Sequence, residues 1–317
     1  MVKRNINSSF SILKALWLGL NWTNPKQTRS GASWIDEVNK NEYVNKRNSK
    51  YRRHRRIKNK MAKKVEGSID MNRKIEIIAE IGINHNGNLK IAEELIVQAS
   101  AAGADVAKFQ LYDPRKLLKP ADFIAQDWES ILCSQLSFDE TKKLKEICDG
   151  YSIEFLASAF DVERLQWLEN LNVKRYKIAS RSVYDEEIAK FIAGTYKDVL
   201  VSYGMIEYDE DPLIFEYCGH RSVERLYCVP QYPALLESIR FNRDMFNYEY
   251  HGFSDHTIGI TAAMTAIVLG AEIVEKHFTY DKQASGPDHC CSIEFEELRR
   301  LCKFRDEFLR IGAVDKK

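Results

Sequence analysis

Two stretches, GFSDHTIGI at Gly252–Ile260 and EIVEKHFT at Glu272–Thr279, decide how the rest of the chain is read. Each is an apolar run that ends on a polar tip, His256 in one and His277 in the other. Between them GITAAMTAIVLGA, Gly259–Ala271, reads as a buried helix. Two histidines on one helix face would stand four residues apart, which these do not. Two neighbouring parallel strands joined by a crossover helix fit instead, with both tips on the same rim.

The same alternation runs outward from this pair. From Ile75 onward short β-rich runs alternate with helical patterns. The strands read EIIAEIGI, DVAKFQL, IEFLASAF, VKRYKIAS, DVLVSYGM, VERLYCV, EYHGFSD and EIVEKHFT. Helical stretches such as LKIAEELIVQASAAGA, VERLQWLENLN, DEEIAKFIAGTY and EFEELRRLCKFRDEFL lie among and after them. Eight strand–helix units in about 245 residues predict an α/β fold, a (β/α)8 TIM barrel. A doubly wound open sheet is the alternative, but no GxGxxG follows a strand.

The first 70 residues are of a different kind. They hold 17 Lys/Arg against 5 Asp/Glu, whereas the remainder holds 30 against 41, so the formal net charge of +1 hides two unlike parts. KRNSKYRRHRRIKNKMAKK, residues 46–64, has eleven basic residues and no acid. Such a block binds nucleic acid or an anionic surface if it binds anything. It lacks aromatics at base-stacking spacing and reads more simply as a solvated tail. We therefore divide the chain into a basic, poorly ordered N-terminal extension, 1–70, and a barrel domain, 71–317, with Met71 a candidate start.

MVKRNINSSFSILKALWLGL has a signal-like beginning, but its apolar run is interrupted by Lys14 and is too short to span a bilayer. Seven cysteines without CxxC spacing point to reduced thiols. A cytoplasmic protein with no transmembrane segment is expected.

In a barrel, function gathers at the carboxyl ends of the strands. Those ends carry Glu80, then Asn84 and His85; Lys108 and Gln110; Ser158; Lys177 and Ser180; Ser202; Ser254, Asp255 and His256; Lys276 and His277. A lysine inside an apolar strand is costly unless an anion meets it. Lys108 and Lys177 could each find a structural carboxylate. With hydroxyls on adjacent strands, the pair reads better as a cradle for a phosphorylated, carboxylated small molecule. His256 and His277 could be satisfied core residues; paired on neighbouring tips, they read as ligands of a shared divalent metal. Two protein ligands leave positions open for water and substrate oxygens. Glu80, the acid within IIAEIGI, fits either an ion pair or an acid/base role, and the polar rim favours the second.

AEIGINHNG, DVAKFQ, YKIAS, SDHTIG, EKHFT and GPDH, taken together and in order, resemble the N-acetylneuraminate (sialic acid) synthase family over Ile75 to about Ile311. The resemblance implies condensation of phosphoenolpyruvate with an N-acyl hexosamine such as N-acetylmannosamine, releasing phosphate and using Mn2+ or Mg2+. It implies that His256 and His277 hold the metal and that Lys108, Lys177, Ser158, Ser180 and Ser254 hold phosphoenolpyruvate. Glu80 would be the acid/base, and Asp288, in GPDH, would bond sugar hydroxyls. A homodimer is implied as well.

Three departures from the family pattern stand out. Arg181–Ser182 replaces a common Gly–Glu pair after Ser180, so Arg181 is expected to meet an anionic substrate group. Pro230 replaces a common polar residue. The family usually continues into a small antifreeze-like domain that covers the partner's barrel mouth, whereas this sequence stops at Lys317. The expectation is a lid supplied by another polypeptide, or reduced activity. Legionaminate and pseudaminate synthases share these motifs, and a catalytically inactive barrel acting as a binding or assembly subunit is the reading from another class.

Overall fold

A computed structural model describes residues 74–117, 125–206, 211–218 and 223–312. The N-terminal extension and its basic block lie outside the described residues. Eight parallel strands close into a barrel in chain order: β1 (Glu76–Gly82), β2 (Val106–Leu111), β3 (Glu154–Ala159), β4 (Arg175–Ile178), β5 (Asp198–Tyr203), β6 (Val223–Cys228), β7 (Gly252–Asp255) and β8 (Ile273–His277). β1 pairs with both β2 and β8, which closes the ring. Five helices of nine residues or more separate the strands up to β5. They are α1 (Leu89–Ala102), α2 (Ala125–Cys133), α3 (Phe138–Gly150), α4 (Val162–Asn170) and α5 (Glu186–Thr195); α6 (Thr261–Leu269) lies between β7 and β8, and α7 (Phe295–Gly312) follows β8.

Local chemistry sets the helix boundaries. Asn88 caps α1 by accepting from the Lys90 and Ile91 backbone N–H groups. Ser137 and Glu140 form a reciprocal capping box at α3, while Asp161 and Asp185 cap α4 and α5. Each cap satisfies donors that the first helical turn leaves orphaned. Gly103 and Gly270 end α1 and α6 in the left-handed region.

Two expectations are corrected. The connections after β5 and β6 hold no full-length helix among the described residues, only Ile214–Cys218 in one and Met245–Tyr248 with a 3-10 turn in the other. Pro230 and Pro233 in VPQYP hold the residues before them, Val229 and Tyr232, in extended backbone, so no helix begins directly after β6. The segment α6 is buried on one side only: Ala262, Ala263, Ala266 and Ile267 face in, and Val268 is exposed.

The barrel interior is layered by the two-residue period of its strands. One apolar layer is a cluster apart from the main core: Ile78, Val106, Leu156, Leu200, Leu226 and Ile273. Two residues earlier on the strands lie Glu76 and Glu154, both paired with Arg175 at 2.7 Å. Two residues later on the same six strands come Glu80, Lys108, Ser158, Ser202, Cys228 and Glu275, and all six line the cavity at the other end. Apolar residues thus seal the middle, with ion pairs closing one end and a polar cavity opening at the other. The larger core lies between the barrel and its helices.

Gly252 at the start of β7 is required by close approach. A Cβ there would lie 2.2 Å from the Ile273 carbonyl oxygen and 2.7 Å from the Ile273 Cβ. The obstacle is backbone on the paired strand. We expect Gly252→Ala to cost about 1–3 kcal/mol through overpacking, read as a lowered urea midpoint with an unchanged slope. An unchanged midpoint would show that β7 and β8 can separate at no cost.

Candidate active site

The cavity at the carboxyl end of the barrel encloses about 530 Å³ of empty space, counting the solvent at its mouth. Its floor is a buried charge cluster. Glu80 accepts from Lys108 Nζ at 2.5 Å and from Gln110 Nε2 at 2.9 Å. Glu275 stands across the floor, its Oε2 3.3 Å from Lys108 Nζ and its Oε1 3.6 Å from Lys177 Nζ. The Ser254 hydroxyl donates to Glu275 at 2.7 Å, and Lys177 donates to the Ser202 hydroxyl at 2.7 Å.

Both lysines therefore already face carboxylates, and the floor balances two cations with two acids. Burial alone would raise the Glu275 carboxyl, but Lys108 and Lys177 outweigh it and hold the group well below the usual carboxylate range. Burial also dominates at Glu80; Lys108 opposes it only in part and Glu275 adds to it, so Glu80 lies above its ordinary value. Burial pushes Lys177 below the ordinary lysine range, with Glu275 offsetting part of the effect. At Lys108 burial acts downward, yet Glu275 and Glu80 together carry the group above it. One carboxyl is held ionised and the other is poised to carry a proton.

Above the floor sit the two histidines, their ring centroids 5.4 Å apart. His256 Nδ1 lies 2.9 Å from the Val229 carbonyl oxygen. A carbonyl only accepts, so in the neutral ring Nδ1 carries the hydrogen and Nε2 the lone pair. Burial lowers His256 to about 4 and His277 well below its ordinary value, so both imidazoles are neutral near pH 7. His277 Nδ1 is buried without a hydrogen-bond partner, 3.8 Å from Asp288 Oδ2. Tyr232 stacks on His256 at 4.0 Å between centroids and stands edge-on to His277 at 5.7 Å.

Two neutral imidazoles, one with an unengaged buried nitrogen, fit a divalent ion that takes its other ligands from water or substrate. Among the described residues no group of three or more His, Cys, Asp or Glu side chains is arranged as a closed metal site. An open site with two protein ligands is the arrangement these residues allow.

The other residues singled out from the sequence divide into two groups. Gln110, Ser158, Ser180, Ser202 and Ser254 line the cavity with Glu80, Lys108, Lys177, His256 and His277. The Ser158 hydroxyl is buried without a partner. The Ser180 hydroxyl donates to the Ser202 carbonyl at 3.2 Å and accepts from the Gly204 N–H at 3.0 Å. Asn84 is not among the lining residues: its Nδ2 donates to the Phe278 carbonyl and the Ser292 hydroxyl. The register shift between Glu80 and Gly82, with Gly82 at φ +55°, breaks the strand's alternation just before it. Asp288 also lies off the lining. It is 1% exposed, both carboxylate oxygens lack hydrogen-bond partners, and burial raises it to about 8. Asp255 and Lys276 pair with each other at 3.2 Å, both fully buried and outside the cavity lining.

Sequence reasoning overlooked Glu275 and Tyr232. Glu275 shares its phase with Ile273 and His277, so a strict two-residue count along β8 points it into the barrel. Tyr232 carries no periodic signal, because it lies in an irregular connection.

Residues 95–312 match the NeuB family. This chain belongs to that family. It is 34% identical over 251 residues to N,N'-diacetyllegionaminic acid synthase of Campylobacter jejuni, covering 73% of this chain and 75% of that protein. Against human N-acetylneuraminate-9-phosphate synthase the identity is 30% over 244 residues, covering 72% of this chain and 68% of the human protein. A solved N-acetylneuraminic acid synthetase from Leptospira borgpetersenii, in complex with citrate, superposes with a TM-score of 0.68 at 29% identity, covering 77% of this chain and 87% of that one. Sialic acid, legionaminic acid and pseudaminic acid synthases are thus all among the relatives of this NeuB-family chain.

Removing the Glu275 carboxylate leaves two buried lysines opposite one acid. We expect Glu275→Leu to lower stability by about 3–5 kcal/mol, as when one member of a buried ion pair is deleted. Urea denaturation at pH 7 reads this directly. A loss below about 1 kcal/mol, the range of exposed pairs, would mean that water or a neighbouring group replaces Glu275.

Proposed function

We propose that this protein is a divalent-metal-dependent nonulosonate synthase. It joins phosphoenolpyruvate to an N-acyl hexosamine such as N-acetylmannosamine, giving a nine-carbon 2-keto acid and inorganic phosphate. The observation that supports this most is a floor of two buried lysines, flanked by hydroxyls, lying beneath two neutral imidazoles in one cavity. Family membership supports the same reading, and the legionaminic and pseudaminic acid synthases differ from it in the acceptor. A homodimer and a cytoplasmic location belong to the proposal.

Each residue then has a task. Lys108 and Lys177 pair with the phosphate and carboxylate of phosphoenolpyruvate, and the Ser158 and Ser180 hydroxyls add hydrogen bonds. A divalent ion held by His256 and His277 would supply Lewis-acid polarisation of the acceptor's aldehyde oxygen. The enol carbon forms a bond to the aldehyde carbon, and the carbonyl electron pair takes a proton from the protonated Glu80 carboxyl to become a hydroxyl. Water adds to the cationic carbon left on the former enol, and Glu80 holds the proton that this water gives up. The bond from that carbon to the phosphate-bridging oxygen breaks, and phosphate leaves carrying the proton of the new hydroxyl, which becomes a ketone. The cavity walls fix the two reactants against each other, which contributes through orientation. Glu80 suits its task because burial keeps its affinity for a proton high while Lys108 keeps it within reach of ionisation.

Carbon-13 NMR with phosphoenolpyruvate labelled at the enol methylene tests this. With Mn2+ and N-acetylmannosamine, the label is expected to move from the olefinic to the saturated methylene region, and a chelator should stop it. Glu80→Gln should lower kcat by roughly 10²–10⁴-fold, as for a lost acid/base group, with a smaller change in the KM for phosphoenolpyruvate. No acceptor-dependent shift with any N-acyl hexosamine would contradict the synthase reading and favour an inactive, ligand-binding barrel.

A further inference from the structure

Beside the main cavity lies a second, smaller space that the chemistry above does not use. It encloses about 260 Å³, counting the solvent at its mouth, and shares Gln110, Phe160 and Arg181 with the main cavity. Its other walls are Ile83, Tyr112, Leu117 and Ile131. Ile83, Tyr112 and Ile131 form an apolar cluster separate from the barrel core, with Leu117 and Phe160 packed against it. The Tyr112 hydroxyl is already occupied, donating to the Ile131 carbonyl at 2.9 Å, and its ring meets Phe160 edge-on. The walls therefore offer a ligand apolar surface and little else.

Polar groups stand only at the seam between the two spaces. The Arg181 guanidinium lies 5.8 Å from the Phe160 ring centroid, and its Nη2 donates to the Leu117 carbonyl at 3.3 Å. The Gln110 amide, on the cavity side, donates to Glu80. A ligand running from the main cavity into the side chamber would pass hydrogen-bond donors first and hydrocarbon after. An N-acyl substituent has that order of groups, an amide and then an alkyl chain. A sugar hydroxyl placed in the chamber would lose its hydrogen bonds, and an anion would be drawn to the lysines of the floor.

We infer that this side chamber receives the alkyl part of the acceptor's N-acyl group, with the amide carbonyl at Arg181, and that Leu117 and Ile131 set the chain length accepted. The inference rests on the reading of the main cavity as a site for an N-acyl hexosamine. It adds a specificity pocket and assigns a preference: acyl chains longer than acetyl fit and bind more tightly.

The test uses the full-length protein with Mn2+ and, so that no turnover occurs, without phosphoenolpyruvate, titrated calorimetrically with N-acetyl-, N-propanoyl- and N-butanoylmannosamine. Each methylene buried should tighten binding by roughly fourfold, so the butanoyl compound, two methylenes longer, should exceed the acetyl by roughly sixteenfold. Leu117→Phe, at the half-buried edge of the chamber, and Ile131→Phe, in its wall, should abolish or reverse that preference. If Ile131→Phe fails to fold, Leu117→Phe alone carries the comparison. Product formation with the same acceptors is measured in parallel. No product but a graded, Leu117-sensitive binding series would remove the synthase reading and keep the chamber. Product formation with an affinity that is flat across the series, or equally graded in both variants, would overturn the chamber and keep the synthase. Binding of none of the three compounds would also overturn it.

Discussion

Glu275 stands between two buried lysines, and the site depends on that contact. A lysine inside a barrel is tolerable only with an anion at hand, and Glu275 serves both Lys108 and Lys177. Because it is shared, neither lysine is held by a private, close-fitted partner on that side: the distances are 3.3 and 3.6 Å. A multiply charged anion entering the cavity can bond both ammonium groups more directly than Glu275 does. The carboxylate keeps the cations ionised and in place while the site is free of ligand. Deleting it would therefore test stability, and deleting a lysine tests binding.

The strand period distributes this chemistry along the barrel axis. Ion pairs around Arg175 close one end, six apolar side chains fill the middle, and the charged floor lies two residues further on. The apolar layer keeps water from the underside of the floor and so strengthens its electrostatics. It also explains why the histidines reach the floor cluster from above. His277 is four residues beyond Ile273 and His256 is four beyond Gly252, so both keep the inward phase. The charged floor, with the Ser158, Ser202 and Ser254 hydroxyls at its level, and the imidazoles above it are successive steps of one pleat.

Most of the barrel was legible because strands buried on both faces read as continuous apolar runs, and the polar exceptions, Lys108 and Lys177, announced themselves. Glu275 did not, since it sits beside Lys276 and looks like half of an ordinary charged pair. Only counting by twos from Ile273 separates the inward Glu275 from the outward Lys276, which pairs with Asp255. Asn84 was placed at the rim by its position after β1, but the shift at Gly82 breaks the alternation on which such placement depends. The connection between β6 and β7 holds only a short helix, and directly after β6 Pro230 and Pro233 keep the residues before them extended. The side chamber joins residues from β2 and the segment after it, the loops after β1 and β3, the turn after β4 and helix α2, a tertiary meeting that no single stretch displays.

The central claim is that the two lysines of the floor form an anion site that Glu275 holds open. Calorimetric titration of phosphoenolpyruvate into the full-length protein, wild type against Lys177→Met, tests it most directly. The account predicts saturable binding to the wild type and at least a roughly tenfold loss in the variant, since a charge-assisted hydrogen bond contributes about 1.5–3 kcal/mol. Equal affinity in the two proteins, with the variant shown to be folded, would contradict it and place the anion elsewhere.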